Sequence, residues 1–439
     1  MKKLSVFIAT MALAAVGYAQ VGNLQYWRPA GQDGLNVFEI PKTDTIAFDG
    51  LKVRIGGDFA MQFQALDHSN TANNLVDLGS NFNLPTANLN LDVQLYDGLR
   101  MHLRTYLSAR HHNEAWIKGG YLQMDKLDFI KKDFLSGLME ITTIRVGMDE
   151  FNYGDTHFRR TDNAQAIYNP FVGNYIMDAF STEAFGEVLI QKSGFIGLLG
   201  VTNGKLNQSV ITNANVGGEE ADNKPSLLLK VGYDNQLSDD LRVRLTASMY
   251  RNQGTGTGTW LYGGDRGGSR YYNVIRTLAD PTTTPPTAAQ GTDFDGRYNA
   301  RFTQITAIQV TPFVKFKGLE FFGVYEVANG NADIAATGTA PATTEGGFTQ
   351  IGAELLYRFG AKENFYLGGR YNTVSGKQRE DATDDLEITR LNIGGGWFMT
   401  KNILAKVEYV DQKYNGDAWG GRFAGAKFNG VMVEAVIGF

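Results

Sequence analysis

Cysteine is absent from the 439 residues. That removes disulfide frameworks, thiol nucleophiles and thiolate metal sites together. Proline is scarce at 10 residues while glycine reaches 52, which speaks against a proline-rich disordered chain. Beyond the first nineteen residues there is no run of roughly 18 consecutive apolar residues, so no transmembrane helix is encoded. Histidine is equally thin. His68, His102, His111, His112 and His157 have no metal-ligand spacing, and no Ser-His-Asp order or nucleophile elbow is legible. A barrel hydrolase that gathers its site from distant residues stays open, but neither a catalytic constellation nor a cofactor motif can be read. The Gly-Thr repeat at 254–259 has no strand-to-helix context for phosphate, and nothing points to nucleic acid.

What is present begins with a secretory signal. Lys2 and Lys3 supply the basic start, Leu4 to Val16 the apolar core, and Gly17-Tyr18-Ala19 the small-residue cleavage site, so residues 1–19 are expected to be removed and the mature chain to begin at Gln20. Residues 20–50 form a polar, turn-rich segment with Pro29, Gly31, Gly34 and Pro41. It is too short to plug a wide barrel as a folded domain; it reads as a tail or as a piece tucked into a barrel mouth. From Leu51 the chain alternates apolar and polar residues, as in Val53, Ile55 and Phe59 against Lys52, Arg54 and Asp58. Period two is the signature of strands with one apolar face. Sixteen such runs can be counted. Their connections alternate between tight ones, such as Lys192–Gly194, Lys317–Gly318 and Thr400–Asn402, and long ones, such as Asp149–Ser181 and Arg251–Ala300. Connections 111–114 and 125–139 break that alternation. A three-residue turn Tyr96-Asp97-Gly98 is expected to place Leu95 opposite Leu99 and Asp92 opposite His102. The last run, Asn429 to Phe439, ends on an aromatic residue. A mean hydropathy of −0.24 suits strands that are half lipid-facing and half wet.

This pattern resembles the Gram-negative outer-membrane porins, of the phosphate-selective or substrate-selective type, over essentially the whole mature chain. The resemblance implies an all-β transmembrane antiparallel β-barrel spanning residues 51–439, with short periplasmic turns and long extracellular loops, in the cell outer membrane. It also implies passage of small hydrophilic solutes, a homotrimer, and Phe439 as a membrane-interface anchor that serves the barrel assembly machinery. The lumen departs from that type by mixing arginines with carboxylates in place of a lysine ladder.

The connection 150–181 is the third outward one and carries Phe151, Tyr153, Phe158, Tyr168, Phe171 and Tyr175. So many aromatics need a surface. In general porins the third loop folds into the lumen, which by resemblance puts Arg159, Arg160 and Asp162 at the pore constriction; a lid or subunit-contact loop packed outside is the competing reading. On the inward faces bases outnumber acids. Arg100, His102, Arg104, Arg110, Arg242 and Arg244 are expected to face the lumen, with Asp92 opposite His102. That field favours anions, unless the charges pair into a structural ladder. The resulting expectation is a passive diffusion porin leaning to anions. The rival is a non-transport barrel (structural, adhesin or assembly partner) with an occluded lumen.

Overall fold

The structure is a computed structural model, and it describes residues 24–43, 46–108, 115–204, 215–216, 219–220, 224–254, 261–263, 270–278, 288–290, 296–332 and 345–439. Sixteen strands close one antiparallel barrel, each hydrogen-bonded to its neighbours in sequence. They are β1 Lys52–Ser69, β2 Asn81–Tyr96, β3 Leu99–Ser108, β4 Trp116–Met124, β5 Thr142–Glu150, β6 Thr182–Lys192, β7 Phe195–Thr202, β8 Ser226–Gln236, β9 Leu241–Asn252, β10 Phe302–Phe316, β11 Leu319–Ala332, β12 Glu345–Phe359, β13 Phe365–Lys377, β14 Leu386–Thr400, β15 Ile403–Asn415 and β16 Lys427–Gly438. The expected all-β barrel and its strand number are what the structure has.

The alternation works inside out compared with a water-soluble sheet. On β12, Gln350, Glu354 and Arg358 are buried inward, while Ile351, Leu355 and Tyr357 stand at least half exposed on the outer surface. Polar-in, apolar-out is the pattern of a wall between lipid and lumen. Closure is complete: β1 pairs with β16 from Asp58↔Gly438 to Ser69↔Lys427. Phe439 continues the seam, exchanging backbone hydrogen bonds with Gly57 at 2.9 and 3.0 Å, and its ring remains half exposed.

The turn between β2 and β3 differs from expectation. Tyr96 pairs with Leu99 across a two-residue Asp97-Gly98 turn, and Leu95 is bulged out of register. The Gln94 side chain explains the bulge, because its amide donates to the carbonyls of Tyr96 (2.8 Å) and Leu99 (3.2 Å). The bulge absorbs the extra residue, so Asp92 still opposes His102 and Gly98 still takes a left-handed φ of +68°.

The interior is filled rather than hollow. Residues 24–43 and 46–50 lie across the short-turn end, where the Gln32 amide donates to the Lys401 carbonyl at 2.6 Å and Gln25 meets Gln94 and Gly98. Residues 151–181 and 270–278 enter from the long-loop end. Their apolar side chains meet the few apolar inward positions of the wall. Val436, the odd apolar member of the inward face of β16, packs with Ile167, Phe171, Ala60 and Leu404. Phe313, Phe322 and Val324 pack with Phe38 and Tyr175.

Candidate pore constriction and lumen lining

The aromatic loop after β5 is bound to the wall through its backbone. The Val172 amide donates to Glu408 at 2.7 Å, Met177 to Gln350 at 2.8 Å and Ile176 to Asn372 at 2.6 Å. Lys406 returns three bonds of 3.1–3.2 Å to the carbonyls of Ala166, Asn169 and Phe171. A loop without regular structure can be buried only if its backbone groups are satisfied in this way.

Arg159 is the central clamp. Its guanidinium donates to Glu320 at 2.6 Å on β11, to Asn36 at 2.7 Å, and to Glu354 on β12. Glu320 is shared with Arg358 at 2.9 Å and Glu354 with Arg370 at 2.7 Å. Burial alone would depress the Arg159 pKa, but the two glutamates overcome it and hold the guanidinium charged well above its ordinary range. Arg160 turns back on its own loop, to Asp178 at 2.9 Å, and lies 4.0 Å from the Phe180 ring centre. Asp162 accepts from Tyr106 at 2.6 Å and Lys118 at 2.7 Å. All three residues are buried, and none of them lines either lumen cavity described below.

The arginine row lies elsewhere. On the β2–β6 side, Asp92 accepts from Arg100 at 2.8 Å and from His102 at 2.9 Å, Arg104 meets Asp149 at 2.9 Å, and Arg145 meets Glu187 at 3.0 Å. Facing this row across a cavity of about 180 Å³ stand Trp27, Arg28, Phe38 and Glu39 of the N-terminal segment and His157, Phe158 and Tyr168 of the loop. The charged lining is balanced: Arg28, Arg100, Arg104 and Arg145 against Glu39, Asp92, Glu150 and Glu187. The Nε atoms of Arg100, Arg104 and Arg145 and Nε2 of His102 make no hydrogen bond, but they are themselves buried in the wall. Arg110 lies outside the described residues.

Arg242 and Arg244 serve a second centre. Arg244 bonds Asp155 at 2.8 Å, Glu39 at 2.7 Å and Asp234 at 3.0 Å, and Lys230 bonds Glu39 and Asp155 at 2.7 Å each. Arg242 pairs with Asp234 at 2.7 Å and borders a wide vestibule of about 1130 Å³ at the short-turn end. Here two cations of the wall hold one acid from the N-terminal segment and one from the loop. Burial pushes the Glu39 carboxyl up, but Arg244 and Lys230 outweigh it and hold it at about 2; Asp155 is depressed in the same sense by the same two cations. A depressed carboxylate contributes stability that is complete above its unfolded pKa of about 4.3 and is lost as pH falls through the folded value. Docking of the segment should accordingly be insensitive between pH 5 and 8 and fail on acidification from about pH 4 to 2. Trypsin cleavage within residues 24–43 after brief acid exposure would show it, and protection unchanged down to pH 2 would contradict it.

Several interior residues had no place in the sequence reading. Glu320 and Glu326 were hidden because the inward face of β11 also carries Phe322, Val324 and Ala328, which blurs its alternation. Glu326 collects Tyr153 and Tyr262 hydroxyls at 2.9 Å and the amides of Gln309 and Gln350, and so ties both inward loops to the wall. Burial beside that carboxylate drives the Tyr153 and Tyr262 hydroxyls well above their ordinary pKa. Glu434 sits on the inward face of β16, where it pairs with Lys406 at 2.6 Å and with Arg270 from the loop after β9.

No family model and no curated protein matches the sequence. Solved structures do match in fold. OmpT, an outer membrane protein of Vibrio cholerae, is 11% identical with a TM-score of 0.51, covering 90% of this chain and 99% of that one. The anion-selective porin from Comamonas acidovorans is 10% identical, TM-score 0.51, covering 89% and 100%. The outer membrane channel DcaP of Acinetobacter baumannii is 11% identical, TM-score 0.50, covering 90% and 99%. At these identities the likeness is one of fold, and the chain has the sixteen-stranded β-barrel of the outer-membrane porins.

Proposed function

We propose that the protein is an outer-membrane porin through which small hydrophilic solutes diffuse passively, with a modest preference for anions. The observation that carries this reading is the cavity beside the β2–β6 wall, where Arg100, His102, Arg104 and Arg145 face the N-terminal segment. A narrow polar passage lined by donors passes solutes that bring acceptors, and its charge balance tunes the preference rather than dictating it. In this account Arg100, His102, Arg104 and Arg145 select, while Arg159, Arg160 and Asp162 hold the loop that narrows the lumen. A signal peptide at residues 1–19, Phe439 as the residue read by the assembly machinery, and a homotrimer complete the proposal; the Vibrio cholerae OmpT is recorded in a trimer form.

A blocked structural barrel is the second reading. It is favoured by the ion-paired packing of the N-terminal segment and loop across the interior. Reversal potentials in a salt gradient decide on selectivity. The triple variant Arg100→Gln, Arg104→Gln, Arg145→Gln leaves the acids in place, so its reversal potential should change sign to cation preference. An unchanged sign would remove the arginine row from the account.

A further inference from the structure

At the short-turn end, six of the seven connections hold two to five residues between their strands. The exception is the one between β4 and β5, residues 125–141. It is firmly held. The amide of Asp125 donates to the Gly98 carbonyl at 2.7 Å, Lys126 pairs with Asp97 at 2.8 Å, and at the far end the Ile141 carbonyl accepts from Gln191 at 2.8 Å. Between these ties the backbone satisfies itself through short turns and a one-turn helix, Ser136–Met139. Yet five of its large apolar side chains stand exposed, while Met139 is buried. Phe129, Ile130, Phe134, Leu135 and Leu138 are between 38% and 60% exposed, and none joins a core cluster of the barrel.

A rigid segment that displays five large apolar side chains is built for a non-aqueous neighbour. We propose that residues 125–141 form a foot that inserts into the headgroup–acyl boundary of the bilayer leaflet at the short-turn end. The proposal rests on the reading of the barrel as membrane-embedded.

Three features favour lipid over protein as the occupant. The foot is continuous with the outward apolar belt, because the adjoining turns carry exposed Tyr96 and Phe195 on the outer surface. Its exposed apolar area amounts to roughly 400–500 Å² for five half-exposed side chains, about half of the roughly 800 Å² per partner that a stable protein interface buries. Lys131 and Lys132 lie beside Ile130, where long aliphatic stems can lie along the acyl boundary with the ammonium groups among headgroups.

The absence of native cysteine makes the test direct. Ile130→Cys and Phe134→Cys, each labelled with an environment-sensitive fluorophore, are reconstituted in vesicles with and without brominated lipid. Asp384→Cys at the opposite rim serves as control, and heat-modifiability on gels verifies folding. The foot predicts blue-shifted emission, strong quenching by bromolipid and shielding from aqueous iodide at 130 and 134, with the reverse at 384. Iodide quenching without bromolipid quenching at 130 and 134 would overturn the proposal. So would absence of lipid quenching together with a bismaleimide cross-link between copies, which would assign the surface to a protein partner. Conductance measured on the same vesicles reports on the channel separately, so lipid contact without conductance would sink the channel reading and leave the foot.

Discussion

Deleting residues 24–50 should raise single-channel conductance by about an order of magnitude, because conduction is set by the narrowest cross-section and this segment closes the short-turn end of the lumen. The segment supplies Trp27, Arg28, Phe38 and Glu39 to one side of the cavity beside the arginine row. It is also linked to the aromatic loop: Arg28 donates to the Phe158 carbonyl at 3.1 Å and lies 3.6 Å from the Tyr168 ring centre, and Phe38 contacts the Phe158 ring edge-on. The barrel itself should survive, since its closing seam begins at Asp58 and involves none of these residues. Planar-bilayer recordings of the full and shortened chains would check it. Equal conductance in the two would mean that solutes do not pass where the segment lies.

Replacing Arg159 by alanine should cost about 3–5 kcal/mol, the range for removing one member of a buried ion pair. Glu320 and Glu354 are both buried and would each lose a partner, although Arg358 and Arg370 remain on them. Asn36 would lose its bond to the loop as well. The expected outcome is release of both the loop and the N-terminal segment, seen as a noisy, larger conductance and faster proteolysis within 151–181. Arg159→Lys should recover only part of it, because one ammonium cannot reproduce a fork spread over two carboxylates and an amide. A quiet channel of unchanged size with altered ion preference would instead mark Arg159 as a selectivity residue.

Legibility in the sequence followed the solvent boundary. Where one face of a strand meets lipid and the other a polar lumen, period two is strong. The sixteen runs and their order could be read from residues such as Ile351, Leu355 and Tyr357 against Gln350, Glu354 and Arg358. Where the lumen face packs on an inward loop, that contrast disappears. β11 and Val436 were obscured for this reason, since Phe322 and Val324 serve Phe38 and Tyr175 rather than solvent. The same blind spot distorted the charge count. Arg100, Arg104 and Arg244 were visible as an inward basic surplus, but Glu320, Glu326 and Glu434 went uncounted, and the acids of the inserted segments, Glu39, Asp155, Asp162 and Asp178, belong to no strand. Pairing across distant segments, such as Glu39 with Arg244 and Lys230, has no local sequence signature. The bulge at Leu95 was hidden too, because it depends on where the Gln94 amide points.

The most direct measurement is ion conductance of the folded, full-length chain in a planar bilayer under a salt gradient. The account predicts small, stable channels with a reversal potential slightly on the anion side, enlarged when residues 24–50 are removed. Silence of both chains, with folding verified by heat-modifiability, would contradict it and leave a barrel whose lumen is a packed structural core.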